Sequence, residues 1–470
     1  MRLTSLQRRS SKVPILAPAA GAGQLGAARG GVAVDGPLGV AFPLLLVWLF
    51  FEFGRPPHPF GIPLLISVVA FLTWVNQKDK QWARQSPWWI VLLVVMVIGV
   101  ALSANTYAAF WATKGMAVLF LAICLPLQSM VTSVKKLRMW LYTLLAVAAY
   151  ICAWAALHGG KGPSAGGGGQ DENYIAAMAG LAIGVAYFSL FAEKRLIVKV
   201  LLGLSIVVFL AAIANGENPS RGGFLGLCVV GLYCVARSPR RVLGFGLLGL
   251  MGAALLAIAG PAFWAEIATS SDYQSGTGDV RLEIWKCGLR MWHANPIFGV
   301  GPDNFRWEIG NYQSPDQFAK FGRSLGGTII AHSLPVEMVA EVGTAGAIAT
   351  AVLILSTWRG LGKVRDELSG PKDGAGDAEG HQLRCYADAI RVGLLAILVN
   401  GVFLSLFYYS HLWLLIAVGS AIPFVYRRMH LPESGIAPAH PGALRRRGAA
   451  PSTPASSPIA PPTLPVGGLP

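Results

Sequence analysis

The sequence predicts an all-α integral membrane protein with about twelve transmembrane helices and one large periplasmic loop. Three observations carry this. Of 470 residues, 54% are hydrophobic and only 13% charged, with mean hydropathy +0.54. Apolar runs near the ~20 residues needed to span a bilayer recur along the chain. The short loops between them alternate between basic and nearly uncharged, which is how membrane orientation is encoded. Helices are required because lipid cannot satisfy free backbone groups.

Residues 1–36 are basic and then Ala/Gly-rich, without the compact apolar core of a signal peptide, and read as a disordered cytoplasmic tail. Helices one to nine are expected within 37–263, at about 37–53, 61–75, 87–103, 106–130, 138–158, 174–192, 196–214, 222–236 and 242–263. Four loops are basic: Lys78/Lys80/Arg84, Lys135/Lys136/Arg138, Lys194/Arg195/Lys199 and Arg237/Arg240/Arg241. The alternate loops hold only Arg55, Lys161 and Arg221. This bias puts the N-terminus inside and residues 264–333 on the outer face, the periplasm of a Gram-negative cell. Spans ten to twelve follow within 334–430, at about 334–357, 390–408 and 411–426, with a cytoplasmic loop at 359–389. Residues 431–470, rich in Pro, Ala, Ser and Gly, read as a disordered cytoplasmic tail. The expected location is a bacterial inner membrane, multi-pass, with both termini cytoplasmic.

The net charge of +15 does not point to nucleic acid, because the cations sit beside apolar runs. The six cysteines show no CxxC or Cys/His metal spacing and read as small buried thiols, with Cys385 in a polar loop. No nucleotide-binding G-x4-G-K-[ST] is present. The first outer loop, "GRPPHPF", has no carboxylate, and no D-x-D occurs, so neither cofactor nor metal is expected.

One stretch is unlike the rest: "RLEIWKCGLRMWHANPIFGVGPDNF", Arg281–Phe305, is basic, aromatic and mixed in polarity. A helix is expected from Arg281 to His293, with an apolar stripe at Leu282, Trp285, Leu289 and Trp292 and Asp279 as its N-cap. Lys286, Arg290 and His293 fall on another face. Pro296, Gly299, Gly301 and Pro302 then break the helix. From pattern alone this reads as an amphipathic helix on the membrane surface.

The order Arg281, Trp285, Pro296, Gly299, Gly301, Phe305, then "AHSL" at Ala331–Leu334, then Glu341 and Gly343, resembles the O-antigen ligase superfamily. That family shows an R-x3-W helix, a P-x-x-G-x-G-x-x-x-F turn, a histidine and an E-x-G. "NPSRGGFL", Asn218–Leu225, is similar to its outer-face arginine, and "DENYIAAM", Asp171–Met178, to its D-x-N segment. One departure is Ser333, where Asn commonly follows the histidine. The resemblance implies a helical fold related to the C-type membrane glycosyltransferases. It also implies transfer of a glycan from undecaprenyl diphosphate to an acceptor hydroxyl. Lipid A-core is the leading acceptor; another glycan or a protein are the alternatives. A transporter of anionic solutes or lipids, with the loop as a lid, is the reading from another class.

That chemistry makes two demands. Charge growing on the leaving diphosphate needs cations, and Arg281 and Arg221 are the leading pair, each equally readable as a membrane-surface cation. The acceptor hydroxyl needs a base, for which the resemblance singles out His332. Arg290, Lys286 and Trp285 are weaker substrate-binding candidates. Glu337 and Glu341, at i and i+4, are further substrate-binding candidates, expected to pair with an arginine or orient His332, and equally readable as a structural Glu–Arg bridge between helices. Asp171 and Asn173 either bind sugar hydroxyls or cap the helix that follows.

Overall fold

The computed structural model describes residues 38–56, 61–78, 80–163, 171–214, 220–268, 277–327, 329–369 and 378–430. The two expected tails lie outside them. Among the described residues the regular elements are helical, without strands. Among the described residues a helix falls in each of the twelve expected stretches: α1 Leu38–Gly54, α2 Ile62–Asn76, α3 Ser86–Leu102, α4 Thr106–Met130, α5 Val134–Leu157, α6 Glu172–Ala192, α7 Leu196–Ala214, α8 Arg221–Arg237, α9 Arg241–Ile258 and, after the segment 264–333, Leu334–Glu367, Ala378–Gly401 and Ser410–His430. Seven are long and apolar enough to cross a membrane. Three more, Val40–Gly54, α2 and α3, are apolar but shorter. Between α9 and Leu334 lie α10 Pro261–Ala268, α11 Thr277–Ala294 and α12 Pro315–Phe321. The last three helices are α13 (Leu334–Glu367), α14 (Ala378–Gly401) and α15 (Ser410–His430).

Helix α6 is the centre of the bundle and is buried along nearly its whole length. Its small residues permit this, because close backbone approach replaces the hydrophobic drive that is absent between helices in lipid. A Cβ on Gly184 would come within 2.6 Å of Val392 in α14, and one on Gly223 in α8 within 2.5 Å of Ala176. The "RGG" of the sequence is thus partly a packing requirement. Leu64, Leu65, Val68 and Leu72 of α2, and Leu201 and Leu204 of α7, stay exposed, as lipid-facing residues do.

Two boundaries differ from expectation. Helix α13 runs past 357 to Glu367, and α14 begins at Ala378 rather than about 390 and ends at Gly401 rather than about 408. Residues 359–367 and 378–389, read as loop, are therefore helical. The charges that end the hydropathy signal are paired between these two helices. Arg365 Nε lies 3.0 Å from Asp388 Oδ2, and Arg391 sits over the Trp358 ring at 4.4 Å. Paired in this way, they extend the helices instead of ending them. Cys385, expected in a polar loop, is consequently buried in α14, while Cys228 is exposed rather than buried.

Candidate active site

The segment between α9 and α13 is organised by a junction of two backbones. Helix α13 breaks at Gly343, whose φ of 63° lies in the left-handed region. The break frees carbonyls that the helix would otherwise use. The turn after α11 takes them: Val300 N–H donates to Ala340 O at 2.8 Å, and Gly301 N–H to Glu341 O at 3.0 Å. In return Thr344 N–H donates to Pro296 O and Ala345 N–H to Ile297 O. Glycine is needed on both sides of this contact. A Cβ on Gly343 would stand 2.3 Å from Ile297 O, and one on Gly299 2.5 Å from Ala340 O. The P-x-x-G-x-G and E-x-G motifs are thus two halves of one joint.

Glu341 finishes the joint. Its carboxylate accepts from Asp303 N–H at 2.9 Å, from Phe305 N–H at 3.1 Å and from the Tyr408 hydroxyl. Glu337, one turn earlier, accepts from Phe407 N–H at 3.1 Å. Neither binds an arginine or His332, contrary to expectation: free backbone donors of the two irregular segments reach them first.

Helix α11 starts at Thr277, so Asp279 lies in its first turn and is not its N-cap. Its packed face is Ile284, Cys287 and Met291, not the expected stripe; Leu282, Leu289 and Trp292 are exposed at 43%, 48% and 37%. The reason is steric. Gly288, between them, lets Phe305 and Val336 approach where a Cβ would meet Val336 at 2.4 Å. Burial raises the Cys287 thiol pKa, which leaves it neutral.

Above this layer a cavity of about 700 Å³ is lined by Asp279, Arg281, Ile284, Lys320, Ile329 and His332, among others. Arg281 and His332, the two leading candidates, are therefore brought together. Among the described residues neither has a hydrogen-bond or ion-pair partner. His332 is held at φ 47°, a left-handed conformation that costs a residue with a side chain on the order of 1–3 kcal/mol. Trp285 fixes the preceding residue, its Nε1–H donating to Ala331 O at 3.0 Å. Burial, and next the positive charge of Arg281, lower the His332 pKa, with Asp171 opposing. The imidazole is thus neutral at neutral pH. Burial and then the charge of Arg221 lower that of Arg281. Arg221 opens α8 and pairs with Glu266 at 2.7 Å, outside the cavity lining. Lys320 belongs to the lining but is engaged by Asp279 at 2.6 Å.

The weaker candidates separate clearly. Arg290 is consumed within the segment, its guanidinium donating to Tyr312 O at 2.7 Å and to Gln317 Oε1. Lys286 pairs with Glu283 at 2.8 Å on the exposed side. Asp171 caps α6, accepting from Asn173 N–H at 3.0 Å and Tyr174 N–H at 3.1 Å. Its charge still reaches both Arg281 and His332. The Asn173 side chain makes no hydrogen bond among the described residues. Lys320 and Tyr408 were not foreseen. Lys320 joins the cavity lining and Tyr408 joins the joint at Glu341, from segments with no local signal, and only the fold brings them in.

Residues 217–351 match the family model described as O-antigen ligase. This segment belongs to the O-antigen ligase superfamily. The match runs from the residues before Arg221 through the segment between α9 and α13 to the kink of α13, so it contains both arginines, His332 and the joint. Around the matched segment lies a helical bundle in which, among the described residues, seven helices are long and apolar enough to cross a membrane. No curated protein matches the chain.

Proposed function

We propose that the protein transfers a glycan from undecaprenyl diphosphate to an acceptor hydroxyl at the periplasmic face of a bacterial inner membrane, with lipid A-core as the acceptor. The observation that carries this is Arg281. It is a half-buried guanidinium without a partner among the described residues, pressed by a second arginine and facing a cavity that also holds an unpartnered imidazole. Arg221 is offset by Glu266, and Asp171 acts on Arg281 in the opposite sense to Arg221, so the charge left to be met is that of Arg281 itself; a half-buried cation without a partner favours an anion. A diphosphate is such an anion, and a guanidinium grips its oxygens bidentately.

In this mechanism Arg281 and Arg221 meet the charge that grows on the leaving diphosphate as the sugar–phosphate bond breaks. His332 takes the proton of the acceptor hydroxyl as its oxygen bonds to the anomeric carbon. Trp285 positions His332 through Ala331. Because guanidinium groups supply the positive charge, transfer is expected to persist in a chelator.

The test is reconstitution in nanodiscs with undecaprenyl-diphosphate glycan, an outer-membrane lipid extract and EDTA. Released undecaprenyl diphosphate and glycan mobility are followed together, beside Arg281→Ala and His332→Ala. Glycan moved onto lipid A-core, lost in both variants, is expected. Glycan growing on its own carrier would mean a polymerase, and glycan on protein an O-glycosylating ligase. No release with any acceptor would overturn transfer and leave the outer segment as a transporter lid.

A further inference from the structure

A second cavity, of about 570 Å³, lies on the other side of the joint, between α1, α2 and α4. Its walls include Trp48, Leu64, Trp111 and Leu119, and it borders the π-helical stretch Val118–Cys124 of α4. Its polar groups are unusual for a place among apolar helices: Glu52, Lys114, Asp303, Tyr408 and Ser410. Glu52 accepts from the Ser410 hydroxyl through one carboxylate oxygen. The other has no hydrogen-bond partner among the described residues. Lys114 Nζ sits 4.0 Å from the Trp111 ring centre and has no ion pair among them.

We infer that this cavity binds the saccharide head of an amphiphile lying in the membrane. The chemistry favours a sugar over the other heads a membrane offers. A phosphate would meet the Glu52 carboxylate and, beside it, Asp303, whose charge is already paired with Arg306. A lipid ammonium would be repelled by Lys114. A sugar is uncharged and carries hydroxyls that both donate and accept. Glu52 offers it an acceptor and Lys114 a donor, while the Tyr408 and Ser410 oxygens, whose protons are given to Glu341 and Glu52, add acceptors. Its apolar ring faces suit the two indoles, and its lipid tail suits the apolar walls.

The place is informative too. Asp303 and Tyr408 line this cavity and are bonded to each other and to Glu341 of α13, whose first residues follow directly on His332. The joint therefore separates two cavities, one with cations and a base, one with sugar-binding groups. On the function proposed above, on which this role rests, the second cavity holds the acceptor lipid.

The test reads binding rather than transfer. The full-length protein in tetraethylene glycol monooctyl ether is titrated with lipid A bearing its core oligosaccharide, and bound lipid is counted by native mass spectrometry. Phosphatidylethanolamine is the sugar-free comparison. Glu52→Gln, which keeps the shape, and Trp111→Ala, at a half-exposed ring, are each expected to lower lipid A-core occupancy about tenfold. Arg281→Ala should leave it unchanged. Lys114→Gln, at an exposed position, serves if either variant folds poorly. Undiminished lipid A-core binding in the folded variants would overturn the inference. So would phosphatidylethanolamine binding as tightly with the same dependence on Glu52 and Trp111. Sugar-lipid binding through these residues in a protein that transfers nothing would keep this site and remove the reaction proposed above.

Discussion

Arg281 and Arg290 stand nine residues apart on one helix, and the fold treats them oppositely. Arg290 is held by Tyr312 O, Gln317 and the Cys287 sulfur, and it ties α11 to the capped start of α12. Arg281 faces a cavity with no partner among the described residues, near a second arginine and an imidazole. A cation whose hydrogen bonds are all made inside the protein is a strut. One whose hydrogen bonds are left unmade, at a cost, is waiting for a ligand. Residue type does not distinguish them, but satisfaction does.

The comparison is sharpened first at the open end of the helix. His332→Ala is expected to lower transfer by about 10²–10⁴-fold, the range for a lost general base, and Arg281→Ala by about 10²–10³-fold, the range for one lost oxyanion donor. Thermal melting should barely move for either, because neither side chain holds anything together. A melting temperature that fell with the rate would make both of them struts. The pH profile adds an independent reading. The His332 pKa lies below the ordinary imidazole value of ~6.5, so the base stays deprotonated, and transfer constant, down through that pH, with the acid limb beginning below it. An acid limb at or above pH 6.5 would remove His332 from the role.

The joint comes next. Gly343→Ala combines a left-handed backbone with a Cβ 2.3 Å from a carbonyl oxygen. A loss of at least ~2 kcal/mol, read by thermal unfolding, is expected. At the closed end, Arg290→Ala should cost on the order of 1–3 kcal/mol for the acceptors it leaves unpaired. In protein that remains folded, its transfer rate should be near wild type. A rate loss like that of Arg281→Ala would erase the contrast. The smallest effect belongs to Lys286→Ala, where an exposed pair is broken: within about 1 kcal/mol in stability, with no change in rate.

Much of this was legible in advance because of where the signals live. Helix positions come from composition, and among the described residues a helix falls in each of the twelve expected stretches, seven of them long and apolar enough to cross a membrane. Asp171 was readable as a cap because capping is local. The face of α11 that packs on the protein is not the apolar stripe expected at the membrane surface. Its stripe was chosen for hydrophobicity, whereas the packed face was chosen by Gly288 and the approach of Phe305 from beyond the turn. Glu337 and Glu341 were expected to meet cations, and they meet backbone N–H groups of segments 303–305 and 407. Helices α13 and α14 outran their hydropathy because Arg365 and Asp388, 23 residues apart, neutralise one another.

The sequence by itself determined the class of molecule, the order of its helices and the short list that contains Arg281, Arg221 and His332. These depend on composition and on motif spacing, both of which are properties of the chain. Tertiary structure alone decided which cations stay unpartnered, where two helix breaks meet, and that Lys320 shares a cavity with His332 while Tyr408 lines another. Those outcomes depend on which donors and acceptors reach one another in space, and a polar group takes the partner that arrives, whatever its distance along the chain.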